Sequence, residues 1–235
     1  MGRAFEYRKE RMFKRWGNMS RTFSKIGKEI AMAVKAGGPN PDVNAKLRAC
    51  IQNAKASQMP KENVERAIKK ASEKDQADYK EMAYEGYAPH GVALIIEAAT
   101  DNTTRTVANV RSIFNKYGGS LGTSGSVDFM FDRKSFFKIA NTNVNVEELE
   151  LEAIDFGGDE IFVEGEEVVI YGGFQDYGTL QKFLEGKHYE IKSSGFERIP
   201  TTTVEVSPEA EAVVNKLIEK LEEDDDIQNV YHNMK

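Results

Sequence analysis

Charge is divided unevenly along this chain of 235 residues. Residues 1–74 carry 18 Lys and Arg against 7 Asp and Glu, a balance of +11. Residues 75–235 carry 14 against 31, a balance of −17, so the net charge of −6 conceals two opposed fields. The fold must keep these fields apart at its surface, which implies a cationic module carried on an anionic body. A cationic module suits a polyanion, because neutralising phosphates releases counterions and gives affinity without catalytic apparatus. The plainer alternative is a helical bundle merely solvated by its lysines.

Hydrophobic residues make up 40% and charged residues 30%, the composition of a globular protein. No apolar run approaches the roughly 20 residues of a membrane-spanning helix. The start, MGRAFEYRKERMFKRW, lacks the apolar core of a secretory signal, and Glu6 and Glu10 count against a transit peptide. Cys50 is the single cysteine and has no partner within the chain. The expectation is a cytoplasmic protein with no membrane attachment.

Periodicity divides the chain. Phe23, Ile26, Ile30 and Val34 share one face of a helix predicted over 20–35, with Arg21, Lys25, Lys28 and Lys35 opposite. Gly37 and Gly38 stop it. A second helix is expected to open with Asn40 as cap and Pro41 in its first turn, burying Val43, Leu47, Cys50, Ile51 and Ala54. A third follows Pro60 and packs through Val64, Ala67, Ile68 and Ala71.

Beyond a polar link at 74–78 the period changes to 2. Residues 82–87 and 92–97 read as a hairpin, 104–117 as a helix, and Ser120-Leu121 with Val127–Phe131 as a second hairpin around a Gly-rich turn. From Arg133 onward strand, helix, hairpin, helix and strand give β-α-β-β-α-β, the ferredoxin-like pattern. Residues 201–206 resume β character, and a helix capped at Ser207 closes the chain. The middle segment lacks one strand and one helix, and 200–235 supplies them. The expected architecture is therefore α+β in three domains: a helical domain (1–78), an α+β domain split between 79–132 and 200–235, and a ferredoxin-like domain (133–199) inserted in it.

Chemical constellations are few. His90, His188 and His232 are far apart and no Cys or His pair has metal-ligand spacing, so no metal site and no cofactor are expected. The Gly-rich run 118–126 lacks a G-K-[ST] ending and follows a helix, which fits strand-turn-strand rather than a phosphate loop. The five carboxylates Glu222 to Asp226 suit Mg²⁺, plain solvation, or repulsion of nucleic acid from the body. Asp101, Asn102 and Thr103 are good helix caps, but Arg105 in a first turn opposes the helix dipole. It therefore calls for an anionic partner, a carboxylate of the chain or a bound phosphate. Arg3, Arg8, Lys9, Arg11, Lys14, Arg15 and Arg21 interleave with Phe5, Tyr7, Phe13 and Trp16, a mixture suited to phosphate contact and base stacking.

The segments 16–35, 38–48, 59–63, 84–89, 101–102 with 105–106, 114–122 with 125–127, and 221–233, which include Trp16-Gly17-Asn18-Met19-Ser20 and Leu221-Glu222-Glu223-Asp224-Asp225-Asp226, resemble YebC-type proteins. The resemblance implies three domains, cytoplasmic location, no enzymatic activity, and a DNA-binding transcriptional regulator. Some relatives, among them a mitochondrial translational activator, act at the ribosome, which implies ribosomal RNA as the other partner. The Met1-Gly2-Arg3-Ala4 opening departs from the Gly-His-Ser-Lys-Trp start of many members. Contacts are thus expected from this chain's own cations: Arg3, Arg8, Lys9, Arg11, Lys14, Arg15, Arg21, Lys25, Lys28, Arg48 and Lys55. The acidic domains are left for a protein partner or self-association.

Overall fold

The structure, a computed structural model, describes residues 19–73 and 78–235. Three helices come first: α1 (Met19–Gly37), α2 (Ala45–Ala56) and α3 (Lys61–Ala71). Ile26, Ile30, Ala33 and Val34 of α1 meet Leu47, Cys50 and Ala54 of α2 and Val64 and Ala71 of α3 in one small core. Gly38 adopts φ +83°, and its N–H closes α1 on Val34 O at 2.7 Å. That left-handed backbone is why glycine ends the helix. The cap of α2 is Asn44 rather than Asn40. Its Oδ1 accepts from Leu47 N at 3.0 Å, while its Nδ2 donates to Ala33 O and Gly38 O, both at 2.8 Å. Asn40 instead turns the preceding loop, accepting from Asp42 N. Val43, expected inside, is 78% exposed because it lies in that turn, ahead of the helix.

The second domain is a sheet of order β3-β1-β2-β8: β1 (Lys80–Tyr87), β2 (Ala93–Thr100), β3 (Ser120–Leu121) and β8 (Ile227–His232). Every pairing is antiparallel. Helices α4 (Thr103–Lys116) and α7 (Pro208–Glu222) cover one face, where Leu94 and Ile96 meet Val110, Phe114, Val214, Leu217 and Leu221. Ala93 and Ile95 point the other way, against Val127, Phe131 and Tyr231. Burial on both faces explains the apolar run Ala93–Ile96 of β2. Gly86 permits the edge: a Cβ there would sit 2.5 Å from Ser120 O on β3.

Between β3 and α7 the chain builds a second sheet, order β5-β6-β4-β7, from β4 (Phe131–Ala140), β5 (Gly158–Glu164), β6 (Glu167–Gly173) and β7 (Ile191–Pro200). With α5 (Val146–Ile154) and α6 (Tyr177–Gly186) this is the expected β-α-β-β-α-β order. Phe137, Ile139, Leu149, Val168, Ile170, Leu180 and Leu184 fill its core. The protein is thus α+β, with a third domain inserted in the second.

Two further local expectations fail. Val127–Phe131 is not a strand of the first sheet; Asp128–Met130 is a short 3-10 turn and Phe131 opens β4, paired with Pro200. The cause is Glu85. Its carboxylate takes the N–H groups of Gly125 (2.7 Å), Val127 (2.8 Å) and Asp128 (2.9 Å), the donors a ladder would need. Burial pushes the Glu85 carboxyl up, but these three donors outweigh it and hold the group below its ordinary value. Residues 201–206 form no strand either, since only Val204 bridges to Met234.

Candidate nucleic-acid interface

The cations expected to meet phosphate fall into three groups. Arg3, Arg8, Lys9, Arg11, Lys14 and Arg15 lie outside the described residues. Those on α1 are turned toward the second domain. Lys28 Nζ donates to Ala99 O (3.1 Å), Asp225 O (2.8 Å) and Asp226 Oδ1 (2.8 Å), three acceptors for its three protons. Its side chain is 13% exposed. Lys25 Nζ donates to Gln228 O at 3.1 Å, and Lys35 pairs with Asp78. Arg21 is half-buried, and its charge is felt by Glu223 at the end of α7. Lys28 therefore serves the junction between domains. The helical periodicity had assigned it to an open face.

Asp226 is the centre of that junction. Its Oδ2 lies 2.7 Å from Arg105 Nη2, 2.9 Å from the Thr106 hydroxyl and 3.1 Å from the Thr100 hydroxyl. Arg105 also pairs with Asp101 at 2.8 Å, and Asn102 caps α4 by accepting from Arg105 N at 3.0 Å. The anionic partner that Arg105 required is thus a pair of carboxylates. Burial pushes the Asp226 carboxyl up, but Arg105, Lys28 and Thr106 outweigh it and hold the group far below the usual carboxylate range. The last of the five consecutive acids is accordingly buried and structural, while Glu223 pairs with Lys220 and Asp224 accepts from Asn109. Among the described residues no three acidic, His or Cys side chains gather as a metal site.

The remaining cations lie on α2 and α3. Arg48 reaches Pro41 O (3.1 Å) and Glu185 Oε1 of α6 (3.4 Å). Beside it, Asn53 clamps the free edge of β7: Nδ2 donates to Ser194 O at 2.8 Å and Oδ1 accepts from Ser194 N at 2.9 Å. An amide that completes both bonds of an edge strand removes a site for unwanted pairing. Lys55 is exposed, as are Arg66, Lys69 and Lys70 on α3, and none makes an ion pair among the described residues. The last three were missed in the sequence, although Val64, Ala67, Ile68 and Ala71 facing inward already place them outward. Cys50 is buried, and burial pushes its thiol up to about 12, so it is no nucleophile at neutral pH. No helix among the described residues is long and apolar enough to cross a membrane.

Comparison with known proteins bears on the whole chain. Residues 3–74 match the TACO1/YebC protein N-terminal domain, and residues 79–234 match the TACO1/YebC second and third domain. A "Probable transcriptional regulatory protein" of Flavobacterium johnsoniae is 61% identical over 235 residues, covering 100% of this chain and 99% of the relative. One of the same name from Porphyromonas gingivalis is 58% identical over 236 residues, with 100% and 98% covered. The crystal structure of a conserved hypothetical protein from Aquifex aeolicus superposes with a TM-score of 0.78 at 39% identity, covering 94% of this chain and 91% of that one.

Proposed function

The chain belongs to the TACO1/YebC family, and from that premise we propose that it is a cytoplasmic nucleic-acid-binding regulator of gene expression, acting on DNA in transcription and working by binding alone. The observation that supports this best is the outward set Lys55, Arg66, Lys69 and Lys70, exposed and without ion pairs among the described residues. Arg3, Arg8, Lys9, Arg11, Lys14 and Arg15 extend the same field in the sequence, and Arg21, Lys25 and Arg48 reinforce it. Lys28 is left out of the contact set because its ammonium is already saturated. With about six phosphates neutralised, log K falls with log salt at a slope of roughly −5 on duplex DNA. Reversing Lys55, Lys69 and Lys70 to Glu should abolish binding and leave the thermal melt nearly unchanged. A flat salt response in the unaltered protein refutes the proposal.

One observation favours a second reading, a ribosome-associated factor that holds ribosomal RNA. Helix α2 packs on β7 and Lys28 ties α1 to the second domain, so the outward cations are divided between α2 and α3 and do not line one recognition helix. Recognition by shape suits RNA better. Crosslinking in cells followed by sequencing separates the two: promoter fragments support transcription, ribosomal fragments support translation.

A further inference from the structure

A second recognition element lies outside the cationic domain, where β4, β7 and the β6–α6 loop meet. Arg133 of β4 stands directly opposite Arg198 of β7. Their fates differ. Arg198 is 11% exposed and tied to Glu97 (3.1 Å) and Asp128 (2.5 Å). Arg133 is exposed, and its guanidinium makes no hydrogen bond or ion pair among the described residues. It lies instead over aromatic rings, Cζ at 4.0 Å from the Phe174 centroid and 5.4 Å from that of Phe196. Phe174 and Phe196 are 40% and 36% exposed. Their centroids are 4.9 Å apart, and the series continues inward at the same spacing from Phe196 to Tyr177 and from Tyr177 to the fully buried Phe137. The outer rings are therefore anchored in the core and held in place.

We propose that Phe174 and Phe196, with Arg133 across them, form a stacking site for an unpaired base of a single-stranded nucleic acid. This rests on the nucleic-acid reading above and names the form of the ligand. Three arguments select that occupant. Exposed rings with a stacked cation offer a π surface to any base, and the guanidinium keeps its donors for phosphate or a base edge. A protein carboxylate would satisfy the arginine but has no use for the rings, and a duplex presents no unstacked base. The site also lies on the strand that the helical domain contacts. Ser194 lies two residues before Phe196 on β7, its hydroxyl 2.9 Å from the Tyr177 hydroxyl, and its backbone is the group clamped by Asn53 of α2. Lys55 follows Asn53 by two residues. Most acids of the inserted domain lie on α5 and the β5–β6 hairpin; Asp176 shares the loop with Phe174, and Asp159 at the start of β5 is paired with Lys134.

The test uses the full chain and short single strands, RNA and DNA, carrying one 2-aminopurine, read by fluorescence and by anisotropy. The unaltered protein quenches the probe on binding, and the two strands tell which polymer supplies the base. Phe174→Leu with Phe196→Leu removes the quench and weakens single-strand binding about tenfold, with the salt slope and duplex affinity unchanged. Retained quenching in that variant, or an equal loss on duplex, overturns the inference. If reversing Lys55, Lys69 and Lys70 abolishes binding while the ring variant behaves as the unaltered protein, the stacking site alone fails. If the unaltered protein binds neither single strand nor duplex at any salt, the nucleic-acid reading fails with it.

Discussion

The helical domain is joined to its two neighbours by different chemistry. Toward the second domain the joint is ionic: Lys28, buried, against Asp226, which Arg105 and two threonines also hold. Toward the inserted domain it is neutral, with one asparagine amide completing an edge strand at Ser194 and a half-exposed Arg48–Glu185 pair beside it. The contrast shows that positive charge in a cationic domain is not all directed at ligand. Lys28 on α1 orients the domain, whereas Lys55 on α2 and Arg66, Lys69 and Lys70 on α3 are left outward. It also explains how an acidic body carries a basic module without neutralising it: the acid used is buried at the joint, away from the outer face.

The ionic joint gives the largest expected effect. Lys28→Met leaves one oxygen of Asp226 and two backbone carbonyls without their donor, and should cost about 3 kcal/mol of stability at neutral pH. Chemical denaturation measures it, and a loss below about 1 kcal/mol would show that water already serves those acceptors. The pH dependence has a definite sign. The Asp226 carboxyl is held far below its unfolded value, so its contribution is complete above about pH 4 and declines as pH falls through the depressed native value. Asp226→Asn should therefore flatten the acid limb of a stability–pH curve, and an unaltered limb would place the acid sensitivity elsewhere.

Next in size is the Gly-rich loop beside β1. Glu85→Gln keeps the shape but removes the charge from three backbone donors and introduces an amide donor against them, at a cost of about 2 kcal/mol. Hydrogen exchange should rise first at Gly125, Val127 and Asp128. The neutral joint follows. Asn53→Ala removes two hydrogen bonds and should cost about 1–2 kcal/mol, with almost no dependence on salt. A cost that falls with added salt would mean the Arg48–Glu185 pair had been lost with it.

How far the sequence led can be argued from these same residues. The β-α-β-β-α-β order was legible because period-2 runs such as Phe137 to Ile139 alternate with capped helices, and such patterns are local. Arg105 was legible as an anomaly, a cation at a helix start that demanded an anionic partner, carboxylate or phosphate. Its partner 121 positions away was not. Lys28 was misjudged for a related reason. Helical spacing shows which face is polar, but not whether a distant domain later covers that face. The failed strand at Val127–Phe131 has the same origin, because Glu85 captures its donors from another strand. The ring site escaped notice because Arg133, Phe174 and Phe196 come from three separate elements and share no spacing.

The smallest effect separates the two joints most finely. Arg48→Ala breaks a 3.4 Å pair whose side chains are 35% and 40% exposed, in a setting where solvent screens the charges. About 0.5 kcal/mol is expected, vanishing in high salt. The same change removes the bond to Pro41 O, which steadies the turn before α2. Glu185→Gln keeps that bond, leaves an amide oxygen for Gln181 Nε2 and removes the charge facing Arg48, so the double-mutant cycle isolates the charge term. If the coupling is near zero while Arg48→Ala still destabilises, Arg48 acts within its own domain, and the attachment to the inserted domain rests on Asn53. A coupling above about 1 kcal/mol would instead make both joints ionic and remove the distinction between them.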